Sequence, residues 1–194
     1  MLTKIRNKLL TIFGDIKVNK HFPWIPYYKP EGYKIRGEQV RVILRLIEPG
    51  DVLVRGFDDY LDGYFIGHWS HVGLVFDKDT IIHSIAEGVI KEDILNFLRT
   101  DRIMILRPNL YEQQKRAVIL RGLTLVGTKY DFGFNFDDPK EMSCTEFVYN
   151  CFLPFEELLG MHKSLETFVI GKKSIVRPES FMKFSGFQVV WISE

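Results

Sequence analysis

The 194 residues suffice for one domain with a sizeable core and would cramp a second. Hydrophobic residues make up 46% and aromatics 14%, with 16 Phe among them, which excludes a chain disordered over most of its length. Lys and Arg total 26 against 25 Asp and Glu, a formal net charge of +1, so the basic excess of a nucleic-acid binder is missing.

Leu2, Ile5, Leu9, Ile12 and Phe13 fall at helical spacing among Lys4, Arg6, Asn7 and Lys8, so residues 1 to 14 read as a short amphipathic helix. Such a helix packs on a domain or lies on a membrane surface, and this one carries too many charges for a signal peptide or a membrane span. Phe22 to Glu31 holds three Pro and four aromatics and reads as an extended connector. Glu48-Pro49-Gly50-Asp51 supplies turn chemistry ahead of a short strand, Val52 to Arg55. HVGLVF (71 to 76), the polar DKDT and IIHSI (81 to 85) predict a β-hairpin. Glu92 to Arg99 and Tyr111 to Val126 look helical, with a strand at Arg102 to Leu106 between them. A last helix starts near Ser143, and FQVVWI forms a last strand. This mixed order predicts an α+β domain.

Cys144 sits in EMSCTEFVYNCF, where Ser143 is an N-cap candidate and Phe147, Val148 and Cys151 share an apolar helical face. In the first helical turn, free backbone N–H groups and the helix dipole favour a thiolate, so a depressed pKa and alkylation well below about pH 8 are expected. Cys151 lies seven residues on, roughly 10 Å away along one helix, too far for a disulfide. Both thiols are therefore expected to be free, with Cys151 in the core. Lacking a disulfide and a signal pattern, the chain is expected to be cytoplasmic, with peripheral membrane contact through residues 1 to 14 left open.

A thiol nucleophile needs a base, and among His21, His68, His71, His83 and His162 the best placed is His71. It opens an apolar strand, and Gly73 two residues on admits close approach of another chain or a substrate. A zinc site recruiting His68, His71, His83 and Cys144 is disfavoured, because three positions along a strand put His68 and His71 on opposite faces. Two residues compete to orient the His71 ring. If the hairpin loop is Lys78 to Thr80, Val75 faces His83 and Glu87 stands opposite His71, with His83 about 13 Å further along. A register centred on Asp77 instead sets His83 opposite His71. Tyr130, in GTKYDFGF, is a candidate donor to an oxyanion beside the backbone N–H of Cys144.

Taken together, GDVLVRG (50 to 56), HWSHVGLV (68 to 75), IIHS (81 to 84), YDF (130 to 132) and SCTEFV (143 to 148) resemble the NlpC-type superfamily of papain-like cysteine hydrolases. The histidine strand precedes the cysteine helix, as in the circularly permuted, YiiX-like branch. The resemblance covers roughly residues 48 to 192, leaving 1–47 as an N-terminal helix and connector and 48–194 as the hydrolase domain. It implies a small twisted antiparallel sheet packed against the helix bearing Cys144. It further implies that Cys144 is the nucleophile, His71 the base and His83 the orienting residue, with Glu87 as runner-up and Tyr130, Ser143 and Glu87 as oxyanion or substrate contacts. The expected reaction is cleavage of an amide bond, in a peptide, an amino-acid-containing compound or a lipid-linked amide, with no cofactor. Two alternatives stay open: an acyl transfer of the lecithin:retinol acyltransferase type, to which Phe132, Phe134, Phe136 and the amphipathic N-terminus would lend an apolar setting, and a non-catalytic binding module on the same fold.

Overall fold

In the computed structural model the described residues are 16–18, 26–28, 32–57, 69–133, 135–136, 140–168 and 171–193. Residues 1 to 14, read above as a helix, and His68 lie outside them. The chain divides into two compact units, Met1–Lys34 and Ile35–Glu194. In the first, strands β1 (Ile16–Val18) and β2 (Pro26–Tyr28) pair antiparallel, so the proline-rich connector contains a strand.

The second unit opens on helix α1 (Gly37–Leu46), whose Ile43 is fully buried. The Glu48–Asp51 turn closes with the Asp51 N–H on Glu48 O at 3.0 Å and the Glu48 N–H on Asp51 Oδ2 at 2.8 Å. Gly50 takes φ +91°, a conformation glycine adopts without strain. Asp51 is fully buried but answered twice by the Arg107 guanidinium, Nε to Oδ1 at 2.9 Å and Nη2 to Oδ2 at 2.8 Å. A bidentate pair of this kind fixes both partners and ties the start of one strand to its neighbour.

Those strands belong to a six-stranded sheet, antiparallel throughout, formed by β3 (Val52–Gly56), β4 (His71–Val75), β5 (Thr80–Ile85), β6 (Gly88–Asp93), β7 (Arg102–Pro108) and β10 (Phe187–Ile192) in the order β10-β7-β3-β4-β5-β6. Side chains alternate between its faces. On one face Val52, Val54, Val72, Leu74 and Ile82 pack with α3 (Glu112–Thr124) and α4 (Cys144–Phe152), burying Val118, Phe147, Val148 and Cys151. On the other, Leu53, Val75, Ile81, Ile103 and Ile105 meet Ile43 and Ile47 and the short helix α2 (Ile94–Phe97). A separate hairpin of β8 (Ser164–Phe168) and β9 (Gly171–Ile175) follows α4.

Two expectations need correction. Residues 92 to 99 are not one helix: β6 runs through Glu92 to Asp93, paired with β5 as far as Thr80↔Asp93, and α2 spans only Ile94–Phe97. Asp93 ends the strand by accepting from the Leu95 N–H at 2.7 Å, a cap that starts the helix two residues later than its charges suggest. The hairpin takes neither proposed register. His83 stands opposite Gly73, with Leu74↔Ile82 and Val75↔Ile81 following, which sets the centre between the two alternatives.

Candidate active site

The observed register makes His71 and His83 diagonal neighbours on one sheet face, because the residue opposite His83 is Gly73. Side chains of this length bridge a diagonal. His71 Nε2 and His83 Nδ1 are 2.8 Å apart. A side chain at position 73 would crowd this arrangement, since a Cβ there would fall 2.8 Å from Ile81 Cδ1 and 3.2 Å from His83 Cβ. Phe97 of α2 walls the pair, its ring centroid 5.7 Å from that of His71 and 5.4 Å from that of His83.

His83 is 1% exposed, and its second nitrogen, Nε2, lies 3.2 Å from Glu92 Oε2 on the neighbouring strand, a close approach outside hydrogen-bond geometry. Burial, reinforced by the Arg55 charge, pulls the His83 pKa down to about 3. The Glu92 carboxylate therefore borders a neutral ring. Burial likewise drives His71 well below its ordinary value, with Arg55 and His83 adding to it. Arg55 is the strand partner of His71; its guanidinium lies 4.3 Å from the Phe97 ring centroid and donates from Nη1 to Phe97 O at 3.1 Å.

Cys144 stands at the start of α4, on the opposite face of the sheet. The β4–β5 pairs stop at Gly73↔His83. The next pair in that register would be Val72 with Ser84, but Ser84 Oγ instead donates to Met142 O at 2.5 Å. The segment leading into α4 thus lies against β5, and the backbone N–H of Val72, next in chain to His71, donates to the Cys144 sulfur. The N–H groups of Cys144 and Thr145 face the same sulfur, as a first helical turn allows. These donors and the Arg55 charge favour thiolate, yet burial outweighs them: the thiol is 7% exposed and its pKa is pushed up to about 11. The expectation of a depressed pKa is overturned, because the helix position was readable in the sequence and the cover over it was not. In the resting protein thiol and imidazole are both neutral. Cys151, fully buried in the same helix, is pushed higher still by burial, and both thiols are free.

The remaining candidates separate. Tyr130 is half-buried, and burial together with the nearby Cys144, Glu146 and Asp131 raises its pKa, which keeps the phenol protonated. Phe132, 72% exposed, has its ring centroid 4.8 Å from that of Tyr130. Ser143 is the N-cap of α4, fully buried, its Oγ accepting from the Glu146 N–H at 3.5 Å and lying 3.4 Å from Thr145 Oγ1, so its hydroxyl serves the helix end. Glu87 is exposed in the two-residue turn between β5 and β6, away from the His71–His83 contact. Nothing in the sequence alone marks Arg55, Glu92 and Glu146 as site residues. The alternation in VLVRG and GVIKED marks the first two as strand residues, and Ser143-Cys144-Thr145-Glu146 is a capping-box pattern.

The neutral resting pair has a measurable consequence. Alkylation of Cys144 by iodoacetamide is expected to be slow at neutral pH and to keep rising with pH beyond about 9, with no plateau below about pH 8. Cys151 should react only on unfolding. A Cys144 rate that levels off below neutrality would mean that the thiol is ionised at rest.

A family model described as a permuted papain-like amidase enzyme, YaeF/YiiX, C92 family, matches residues 46–191. No curated protein matches the chain. Among solved structures, the crystal structure of the metalloprotein YiiX from Escherichia coli O157:H7 aligns with a TM-score of 0.63 at 13% sequence identity, over 76% of this chain and 98% of that one. At that identity the likeness concerns the fold. Among the described residues no group of three or more His, Cys, Asp or Glu is arranged to hold a metal ion, and no step below is routed through one. No helix among them is long and apolar enough to cross a membrane.

Proposed function

The chain belongs to the permuted papain-like amidases of the C92 family, cysteine peptidase-like hydrolases, and on that premise we propose that it cleaves an amide bond through a thioester on Cys144, with His71 as base and His83 as the residue that orients it. The observation that carries this is the entry of the Cys144 sulfur beside the Val72 N–H, one residue from a His71 whose ring is pinned by His83.

Proton placement follows from the neighbours. With Glu92 bordering Nε2 of His83, the proton of that neutral ring belongs on Nε2, which leaves Nδ1 to accept from the Nε2–H of His71. His71 Nδ1 then carries a free lone pair. As the sulfur attacks the substrate carbonyl carbon, His71 Nδ1 takes the thiol proton. The oxyanion accepts from the backbone N–H of Cys144 and from the Tyr130 hydroxyl. The C–N bond breaks as His71 returns the proton to the leaving amine, and water, deprotonated by the same nitrogen, opens the thioester and restores the thiol.

The exposed Phe132 beside Tyr130 favours an apolar group next to the scissile bond, which also suits the second reading, transfer of the acyl group to an acceptor other than water. One experiment tests both. Acid-quenched mixtures of the protein with an N-acyl anilide, digested and weighed by mass spectrometry, should carry the acyl mass on the Cys144 peptide segment and lose it in His71→Ala. Added hydroxylamine should intercept it. An acyl mass found elsewhere, or none while anilide is being consumed, would remove the thioester from the reaction.

A further inference from the structure

Glu146 is 1% exposed, two residues from Cys144, and charged side chains are almost never buried without a reason. One oxygen is accounted for: Oε2 accepts from the Ser143 N–H at 2.5 Å, closing the cap of α4. The other, Oε1, is fully buried and has no hydrogen-bond donor among its neighbours. The Glu146 carboxyl lies within hydrogen-bonding reach of a second one, that of Asp131, itself 5% exposed. Asp131 already accepts from two backbone N–H groups, Gly133 at 2.5 Å to Oδ1 and Asn135 to Oδ2. Two carboxylates cannot share a dry site while both are ionised. A proton on Glu146 Oε1, donated to Asp131, removes the repulsion and satisfies the orphaned oxygen at once.

We propose that Glu146 is a positioning residue whose protonated carboxyl clasps Asp131 and so holds the Tyr130 segment against the first turn of the Cys144 helix. Tyr130 is bonded in sequence to Asp131, and its environment includes both Cys144 and Glu146. The ends of the segment are fastened independently. The Val89 N–H donates to Thr128 O at 2.8 Å and the Met142 N–H to Lys129 O at 2.8 Å. Gly88 is pressed so close to Thr128 that a Cβ would lie 2.3 Å from its carbonyl oxygen. Phe136 adds a packing contact, its ring centroid 5.8 Å from that of Tyr149 in α4, and the clasp adds a polar one at Asp131. Its value to catalysis rests on the reading of Cys144 as nucleophile; its existence does not.

Few other groups can answer for a titration here. On the sheet face turned to α4, β4 and β5 offer Val72, Leu74, Ile82 and Ser84, none of them ionisable at these pH values. Arg121 of α3 donates to Asn150 O at the far end of the helix, and Glu156 of the 3-10 turn after α4 accepts from Tyr149. Among the described residues, Cys144, Tyr130 and Asp131 are the titratable neighbours. Burial first, then the Asp131 charge, raises the Glu146 pKa to about 7 against the pull of Ser143. A folded-state pKa raised above the unfolded value stabilises the fold fully below the unfolded pKa, and the gain is lost as pH rises through about 7.

Gln at position 146 separates this from a generic packing role, because its amide oxygen accepts from Ser143 and its amide N–H donates to Asp131 with no proton to lose. Unfolding free energies of the full chain by urea should diverge between Glu146→Gln and wild type as pH rises from about 5 to about 8, the folding equilibrium of the variant gaining at least about tenfold. Titration of His71 and His83, whose depressed values act with the opposite sign, cancels in that difference. Iodoacetamide labelling of Cys144 near pH 6.5 should be about tenfold or more faster in Glu146→Ala and return to the wild-type rate in Glu146→Gln, once the clasp is remade. Carbon-13 spectra of the wild type should contain one glutamate carboxyl titrating near 7 that Asp131→Asn moves down, a readout that survives if a Glu146 variant does not fold. A pH-independent difference, failure of Gln to rescue, or no glutamate titrating above about pH 6 would each overturn the clasp. None of these would touch the thioester, and a missing thioester would leave the clasp standing.

Discussion

Cys144→Ala is expected to lower amide cleavage by about ten-thousandfold or more while leaving the fold in place. Every covalent step of the proposed cycle passes through this sulfur, so what survives is the rate supplied by binding and the oxyanion donors alone. The side chain is small and 7% exposed, and the thiol of the resting protein is neutral, so its removal strands no charge. Loss of one sulfur from a packed site costs about 1 kcal/mol of stability. The checks are turnover of an anilide substrate and the urea midpoint measured on the same preparation. Retention of more than about a tenth of the activity in the Ala variant would take the nucleophile away from Cys144.

His83→Ala is expected to cost between about a hundredfold and ten-thousandfold in kcat, with KM little changed. The loss has a defined origin. His71 Nε2, 2.8 Å from His83 Nδ1, would have no acceptor for its proton, and the ring could take the other tautomer, with a hydrogen where the free lone pair is needed. Since His83 is 1% exposed and its ring packs on that of Phe97, truncation leaves a hole of imidazole shape, and added imidazole should restore part of the rate. Glu92→Ala, one residue further from the chemistry, should cost about tenfold. Glu87→Ala should cost little, because Glu87 lies exposed in the β5–β6 turn. Equal losses at Glu87 and His83, or no rescue by imidazole, would contradict the orienting role.

These two experiments probe residues that the sequence already displayed. The Cys144 helix announces itself by its cap and apolar face, and the hairpin by two apolar runs around DKDT, because both signals are local. The register was not readable. Loops differing by one or two residues are equally compatible with DKDT, and the outcome depends on which side chains fit between two packed faces. Gly73, visible as a place of close approach, turned out to be the residue across from His83. Glu92 was hidden for a similar reason. An outer strand with exposed Lys91 and Asp93 has the composition of a helix start, and only its pairing with β5 shows otherwise. The ionisation state of Cys144 was hidden in a different way. The dipole and first-turn amides belong to the helix, whereas the burial that outweighs them comes from strands some seventy positions earlier in the chain.

The covered, protonated thiol also bears on chemical endurance. Peroxide attacks thiolates, and the route from sulfenic to sulfinic acid begins with that anion. An enzyme that stores its nucleophile as an exposed thiolate is open to this damage between turnovers. Here Cys144 is 7% exposed with a thiol pKa pushed up to about 11, so the anion needed for oxidation is scarce until His71 takes the proton. Idle protein should outlast working protein in peroxide.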